Sequence, residues 1–264
     1  MRALLLVPLL LAGPNGLAGQ LLEERLSGCD HGQAAACWDA GGQLEQRAEY
    51  PQAADRYQRA CEGRVGAGCA ALARLMVRGL TEFGSQSRAV DLYQAACSYD
   101  FGPGCTVLGE WFQRGVPVSP DLSRAIALYR RGCELKDGGA CYHLALAYER
   151  GAGNLIDNPT TAARYYREAC EGVNLAGCLR LGELYEHGTG VTTDLGQTAQ
   201  LYGRACEAGN PEGCLRLGQM YDNGHGVPDD DRRAQTLYQR ACDLGSHGGC
   251  SLALLDRAGG VRWP

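Results

Sequence analysis

The feature that most constrains the fold of this chain is a pair of cysteines that recurs along almost its whole length. The 14 cysteines form seven pairs, and seven residues separate the two members of each pair. The first members lie 32, 36, 36, 37, 36 and 36 residues apart. A fixed period in this range is typical of a solenoid, in which each repeat stacks on the next. The pairs are Cys29/Cys37, Cys61/Cys69, Cys97/Cys105, Cys133/Cys141, Cys170/Cys178, Cys206/Cys214 and Cys242/Cys250.

Two stripes of small and apolar residues flank the cysteine pairs with helical spacing. From the second pair onward, a tyrosine lies four residues before the first cysteine, and alanine or threonine lies eight before it. In the five central pairs, leucine lies three residues after the second cysteine, and alanine or glycine lies four after it. These offsets fall on one helical face. Each repeat is therefore predicted to contain helix A, which begins near a second cysteine, and helix B, which ends near the next first cysteine.

In every complete repeat, glycine is predicted to end helix A, ten residues after the second cysteine, because it accepts the left-handed conformation of a helix cap. These glycines are Gly79, Gly115, Gly151, Gly188 and Gly224. The next helix B has start signals such as Asn158-Pro159 and Pro228-Asp229. One helix pair cannot bury its apolar face alone, so the pairs must stack. The predicted fold is all-α, and the repeat pattern is weakest at both ends.

Residues 1–18 have the pattern of a signal peptide: Arg2, an apolar run, and small residues before a cleavage point after Ala18. The alternatives are a buried N-terminal helix and a lipobox ending at Cys29. Charged residues separate Cys29 from the apolar run, which argues against lipidation. No later segment is long and apolar enough to cross a bilayer. The mature chain, residues 19–264, is predicted to be a single solenoid domain of about six repeats, secreted or periplasmic.

The cysteine spacing favours disulfides over the other chemistries of cysteine. Zinc sites and redox motifs need cysteines two to four residues apart, and this spacing is absent. Thiols remain oxidised outside the cytosol, where an even cysteine count indicates disulfides. A seven-residue connection between antiparallel helices brings two Cα atoms within disulfide range. We therefore predict seven disulfides within the cysteine pairs, with no metal and no cofactor.

Segments 169–191 and 205–227 share Ala-Cys-Glu, then Gly-Cys-Leu-Arg-Leu-Gly, a tyrosine, and Gly-Val at the end. They resemble Sel1-like repeats, and the cysteine pairs narrow the resemblance to the Helicobacter cysteine-rich proteins. The resemblance covers about residues 27–257. It implies a right-handed α-solenoid of repeats similar to tetratricopeptide repeats.

The same resemblance raises an enzymatic alternative, because some members of that family are described as slow β-lactamases. A serine β-lactamase needs serine three residues before lysine. Lys136 is the sole lysine, and Cys133 occupies that position. The five histidines lie far apart in sequence and form no H-x-H motif. We therefore predict no catalytic residue, and the alternative of a β-lactam-binding or muropeptide-binding protein with weak amidohydrolase activity rests on resemblance alone.

Behind the apolar stripe of helix A, offsets two, five and nine after the second cysteine form a polar row, here termed the helix A row. Helix A normally lines the concave side of tetratricopeptide-like solenoids. Recurring arginines at these positions are suited to binding carboxylates or sugars of a ligand. The alternative is a solvated face with ion pairs within one helix, such as Arg180–Glu183. The candidate residues are Arg74, Arg78, Glu110, Arg114, His143, Arg150, Arg180, Glu183, His187, Arg216, Gln219 and Asn223.

The predicted function is that of an extracytoplasmic scaffold that binds a protein, a peptide or a cell-wall fragment. A formal net charge of −5, without a basic stripe, argues against a nucleic-acid partner. The protein is expected to be a monomer.

Overall fold

The computed structural model describes residues 14–81 and 85–257, with side chains from residue 20 to residue 254. The predicted signal peptide lies largely outside this range, and residues 14–18 begin the first helix. Fourteen α-helices and no strands occur in the described residues. They are α1 (Pro14–Asp30), α2 (Ala34–Gln46), α3 (Tyr50–Glu62), α4 (Gly66–Val77), α5 (Gln86–Ser98), α6 (Gly102–Arg114), α7 (Leu122–Glu134), α8 (Gly138–Glu149), α9 (Pro159–Glu171), α10 (Leu175–His187), α11 (Leu195–Glu207), α12 (Pro211–Asn223), α13 (Asp231–Asp243) and α14 (His247–Arg257).

The helices alternate as predicted, so that even-numbered helices are helix A and odd-numbered helices are helix B. The chain divides into two compact units, Met1–Gly104 and Cys105–Pro264, with the boundary inside α6. In the first unit α1 to α5 pack successively against one another, and in the second unit α7 to α14 do the same. Every link from helix B to helix A is three residues long, which holds the two helices antiparallel. The single domain of about six repeats remains a prediction.

Helix ends follow the predicted signals with one shift. The Asn158 side chain accepts a hydrogen bond from the Thr161 N–H and caps α9, as the sequence indicates. The α13 helix starts two residues later than Pro228-Asp229 indicates, because Asp230 caps it through the Arg233 N–H. All five predicted cap glycines have positive φ, between 60° and 72°. Their left-handed backbone confirms the prediction for the end of each complete helix A.

Tyrosines of helix B pack against glycine residues of helix A. A Cβ atom added at Gly182 would lie 2.6 Å from the Tyr202 ring, and one at Gly218 would lie 2.7 Å from the Tyr238 ring. These tyrosines are almost completely buried, at 1% and 4% exposure. The small residue four after the second cysteine therefore creates the space that the tyrosine fills.

The first helix A keeps the same buried face with smaller residues. The α2 helix buries Cys37, Ala40, Gly41 and Leu44, at the offsets that the central repeats use. Ala40 replaces the usual leucine, so the stripe is hard to recognise in the sequence although the helix packs in the same way.

Disulfides join each helix B to the following helix A. Cys97 and Cys105 are disulfide-bonded, and no described cysteine is free. The other six bridges have Cα–Cα distances of 4.4–4.6 Å, within the range for an unstrained bridge. They are Cys29–Cys37, Cys61–Cys69, Cys133–Cys141, Cys170–Cys178, Cys206–Cys214 and Cys242–Cys250.

The second cysteine of the bridge lies in the core. Cys69 and Cys214 are 0% exposed and Cys178 is 1% exposed, so a ligand at the surface cannot reach their sulfur atoms. The residue before such a cysteine must be small, and a Cβ added at Gly177 would lie 2.7 Å from the Ala169 Cβ. These predicted site residues are therefore structural, and their bridges belong to the interior of the repeat.

The bridges indicate an oxidising environment for the folded chain. None of the described helices has both the length and the apolar character needed to span a membrane.

The contact between glycine and tyrosine leads to a prediction with an internal control. Gly182→Ala should destabilise the protein by about 1–3 kcal/mol, because the new methyl group overpacks the space beneath Tyr202. Gly203→Ala, in α11, should stabilise the protein by about 0.5–1 kcal/mol through helix propensity. At Gly203 the nearest atom to an added Cβ is 3.8 Å away, on Leu217. Urea denaturation measures both changes, and equal shifts in one direction would contradict the packing account.

Candidate functional site

The tyrosine hydroxyl groups of helix B reach a second column of polar residues on helix A, eight residues after the second cysteine in every described repeat but the one with Val77 at this position. We term this the acceptor column. Tyr166 donates to Glu149 (2.6 Å), and Tyr202 donates to Glu186 (2.8 Å). The members that receive a tyrosine hydroxyl are Glu45, Gln113, Glu149, Glu186 and Asp222. This column is absent from the residues predicted from the sequence, although an acid or amide recurs at this one offset and indicates it.

Burial keeps these tyrosines protonated. Loss of water around the Tyr166 phenol raises its pKa, and the neighbouring Glu149 carboxylate raises it further. The same two causes raise the pKa of Tyr202, with Glu186 as its acceptor. Each phenol therefore stays a hydrogen-bond donor and fixes one carboxylate oxygen.

In the first unit, the two row members contact one carboxylate of the acceptor column. Arg74 binds Glu45 through two nitrogens, at 2.6 and 2.7 Å, and Arg78 lies 3.8 Å from the same group. Glu45 also accepts the Tyr57 hydroxyl at 2.8 Å. The hydrogen bond from Arg74 lowers the pKa of Glu45 from its ordinary value near 4.5, and the bond from Tyr57 adds to this effect. The carboxylate therefore stays ionised at a lower pH than an ordinary glutamate.

In the second unit, Glu110 links row members of two successive repeats. Its carboxylate lies 3.1 Å from His143 Nε2 and accepts a hydrogen bond from Arg114 at 3.0 Å. The His143 ring stacks on Tyr129, with a centroid distance of 4.7 Å. This stacking fixes the orientation of the imidazole.

A longer chain of ion pairs continues along the row. Arg180 donates to Glu149 (2.5 Å) and to Glu183 (2.6 Å), so it connects α8 with α10. Arg216 lies 3.5 Å from Glu183 and donates to Glu212 at 2.6 Å, which connects α10 with α12. The Arg180–Glu183 ion pair, which the sequence offered as an alternative, is therefore present. The structure also has ion pairs between repeats, which the spacing within one helix does not predict.

The remaining row members are exposed. Arg150 and His187 have no ion pair or hydrogen bond among the side chains that the structure describes. Asn223 donates to the Gln219 carbonyl at 2.7 Å. The row is therefore a mixed-charge surface, in which most arginines already bind carboxylates.

Clefts open between neighbouring helices of the second unit. One, of about 310 Å³, is lined by the row members Arg216, Gln219 and Asn223, together with Glu186 and Asp222 of the acceptor column. A smaller one, of about 50 Å³, includes the row members His143 and Arg150 in its walls. These clefts are where a ligand side chain could enter the row.

A third cleft, of about 230 Å³, lies in the first unit. Leu72 and Met76 form its apolar floor, and Asp55, Gln58 and Arg88 form part of its rim. No residue of the helix A row lines it.

The predicted disulfide residues lie apart from these openings. None of the three clefts has a cysteine in its walls. Cys69, Cys178 and Cys214 are buried beneath the row instead, two residues before the row begins on their helices. The bridges therefore join the helices that carry the row and lie outside the walls of these clefts.

One group of potential metal ligands occurs in the described residues: Cys133, Cys141 and Glu168. The two sulfur atoms form a disulfide with each other, so neither is available as the thiolate that a metal binds.

The repeated helix pairs and their cysteine bridges define the class of an α-helical repeat protein, and comparison with known proteins gives its family. The Sel1 repeat model matches residues 66–98, 103–137, 139–174, 175–210 and 211–246. These matches cover more than half of the chain, which therefore belongs to the Sel1 repeat family.

Among solved structures, a protective antigen of uropathogenic Escherichia coli, c5321, has a TM-score of 0.75 and 25% identity, over 92% of this chain and 53% of that one. The chain thus spans about half the length of that antigen. A Sel1 repeat protein from Oxalobacter formigenes has a TM-score of 0.71 and 24% identity, over 86% and 91% of the two chains.

Cysteine rich protein B of Helicobacter pylori is 34% identical over 52% of this chain and 98% of its own, with a TM-score of 0.41. The predicted relation to Sel1-like and Helicobacter cysteine-rich proteins is confirmed. Among curated proteins, no sequence match reaches significance.

The Glu45 contacts predict how stability depends on pH. The folded pKa of Glu45 is lowered, so its contribution is complete above about pH 4.5 and is lost as the pH falls through the folded value. Glu45→Gln should cost about 1.5–3 kcal/mol at pH 7. Urea denaturation should show this difference narrowing between pH 5 and pH 3.

The control is Asp91→Asn on α5. Asp91 is exposed and has no ion pair among the described residues, so its removal should leave the pH profile unchanged. A difference for Glu45→Gln that stays constant down to pH 3 would contradict the ionic role of Glu45.

Proposed function

We propose that the protein is an extracytoplasmic, disulfide-bridged scaffold that binds another polypeptide along the helix A row. The observation that carries the proposal is the order of this surface before any ligand arrives. Ion pairs from α8 to α12 and stacking of His143 on Tyr129 hold the polar groups in place. A fixed surface loses less side-chain entropy on binding than a mobile one.

The mixed charge of the row favours a polypeptide over a simple polyanion. Carboxylates neutralise Arg74, Arg180 and Arg216, so a polyanion would have to compete with them. A polypeptide offers backbone donors and acceptors together with side chains of both charges, and matches such a surface more closely. Membership in the Sel1 repeat family supports the same class of partner.

The disulfides support a location outside the cytosol, and residues 1–18 are proposed as the signal that directs the chain there. Cys29 is bonded to Cys37, which leaves no thiol for a lipid anchor. We propose that the mature protein is a secreted or periplasmic monomer.

Site-specific photo-crosslinking in cells that make the protein tests the role of the row. Benzoylphenylalanine at Arg150 should form a discrete adduct with another polypeptide, because Arg150 is exposed on the row and bordered by a cleft. The same probe at Arg204 is the control. Arg204 is exposed on helix α11, and its side chain donates to the Cys170 carbonyl. Equal adducts at both positions, or none at Arg150, would contradict the proposal.

A chromogenic β-lactam separates this function from the enzymatic alternative. We expect purified protein to hydrolyse it no faster than buffer does. Turnover that disappears when a single polar side chain is replaced would favour a β-lactam amidohydrolase instead.

A further inference from the structure

The acceptor column binds guanidinium groups of this same chain at two places. Glu149 accepts the Tyr166 hydroxyl and a nitrogen of Arg180, which lies two residues after the next second cysteine. In the first unit, Glu45 accepts the Tyr57 hydroxyl and two nitrogens of Arg74. A tyrosine-oriented carboxylate in this column therefore binds a guanidinium in two repeats, with the arginine two residues after the next second cysteine in one case and five residues after it in the other.

The last complete repeat has the same carboxylate without the arginine. Asp222 accepts the Tyr238 hydroxyl at 3.2 Å. The residue that corresponds to Arg180 in this repeat is Leu252, two residues after Cys250. No described residue forms an ion pair with Asp222.

Glu186, the acceptor of the preceding repeat, also receives a tyrosine hydroxyl without an arginine. Glu186 accepts the Tyr202 hydroxyl, but Arg216, at the position that corresponds to Arg180, pairs with Glu212 and Glu183 instead. Glu186 also has no ion pair among the described residues. Two carboxylates fixed by tyrosines in adjacent repeats therefore have no ion pair among the described side chains, and Arg216, which also lines their cleft, pairs with other acids.

Both carboxylates line the cleft of about 310 Å³ in the second unit. This volume is at the small end of the range for ligand pockets and suits one long side chain with its flanking backbone. Met220 and Leu252 give the cleft an apolar wall, and Gln219 and Asn223 add amide groups. Apolar walls beside two acceptors match the aliphatic stem and the charged end of an arginine side chain.

We propose that this cleft binds an arginine side chain of the partner polypeptide, with the guanidinium between Asp222 and Glu186 and the stem along Leu252. The inference rests on the proposed function, since it assigns the chemistry that a partner presents at one end of the helix A row. Arginine fits better than lysine, because its planar group can donate to two carboxylates at once.

Titration with two pentapeptides tests the proposal. The probe is acetyl-Gly-Gly-Arg-Gly-Gly-amide, and its partner contains citrulline, which has nearly the same shape and no charge. Amide chemical shifts of the full chain should show the arginine peptide binding at the cleft, with affinity at least tenfold higher than that of the citrulline peptide. Equal affinities would overturn the proposal.

Two variants locate the site. Asp222→Asn keeps an acceptor for Tyr238 and removes the charge, so affinity for the arginine peptide should fall at least tenfold. The matched control is Glu171→Gln, an exposed acid of α9 outside the cleft, which should leave affinity unchanged. An unchanged affinity in Asp222→Asn would show that the peptide binds elsewhere.

Leu252→Arg supplies the arginine that the chain lacks at this position. It should abolish binding of the arginine peptide and raise the thermal midpoint, because an internal guanidinium then occupies the site. Peptide binding that persists with a raised midpoint would overturn the proposal. If crosslinks form at Arg150 while the peptide fails to bind, the cleft assignment fails and the scaffold stands. If the peptide binds and no crosslinks form at Arg150, the cleft assignment stands and the proposed scaffold fails.

Discussion

The close approach of helix A and helix B is the constraint on which the rest of the structure depends. It requires a residue without a bulky side chain beneath each tyrosine and another before each second cysteine, as Gly182 and Gly177 illustrate. The small residue beneath the tyrosine allows the buried phenol to reach a carboxylate of helix A. The small residue before the second cysteine allows Ala169 to approach the following helix at the point where the disulfide forms. The polar surface and the covalent bridges are therefore consequences of one packing rule.

The fold was predictable because its determinants lie close together in sequence. Cysteine pairs, cap glycines and the tyrosine stripe each report on one helix or on two adjacent helices, and all three were confirmed. The terminal helix α2 was harder to recognise, since Ala40 stands where the other repeats have leucine. Its burial depends on neighbouring helices, which a local pattern does not include.

The candidate surface was predictable only in its position along each helix. The offsets identified Arg180 and Arg216 as members of one row, but their partners Glu149 and Glu183 come from the preceding repeat. A bridge between repeats depends on the distance between stacked helices and on which rotamer each arginine adopts. The row therefore appeared in the sequence as a series of available donors, whereas most of these donors bind carboxylates in the folded chain.

The arrangement of the disulfides has a mechanical consequence. Each bridge closes a loop with a sequence separation of 8, so no bridge ties distant repeats together. Under a pulling force, a repeat of 36 residues would shield only the short bridged loop and release about 28 residues, whose fully stretched length is roughly 95 Å at ~3.3–3.6 Å per residue. Repeats of such an array would yield to force separately, because each contacts only its neighbours, while the bridged loops remain closed.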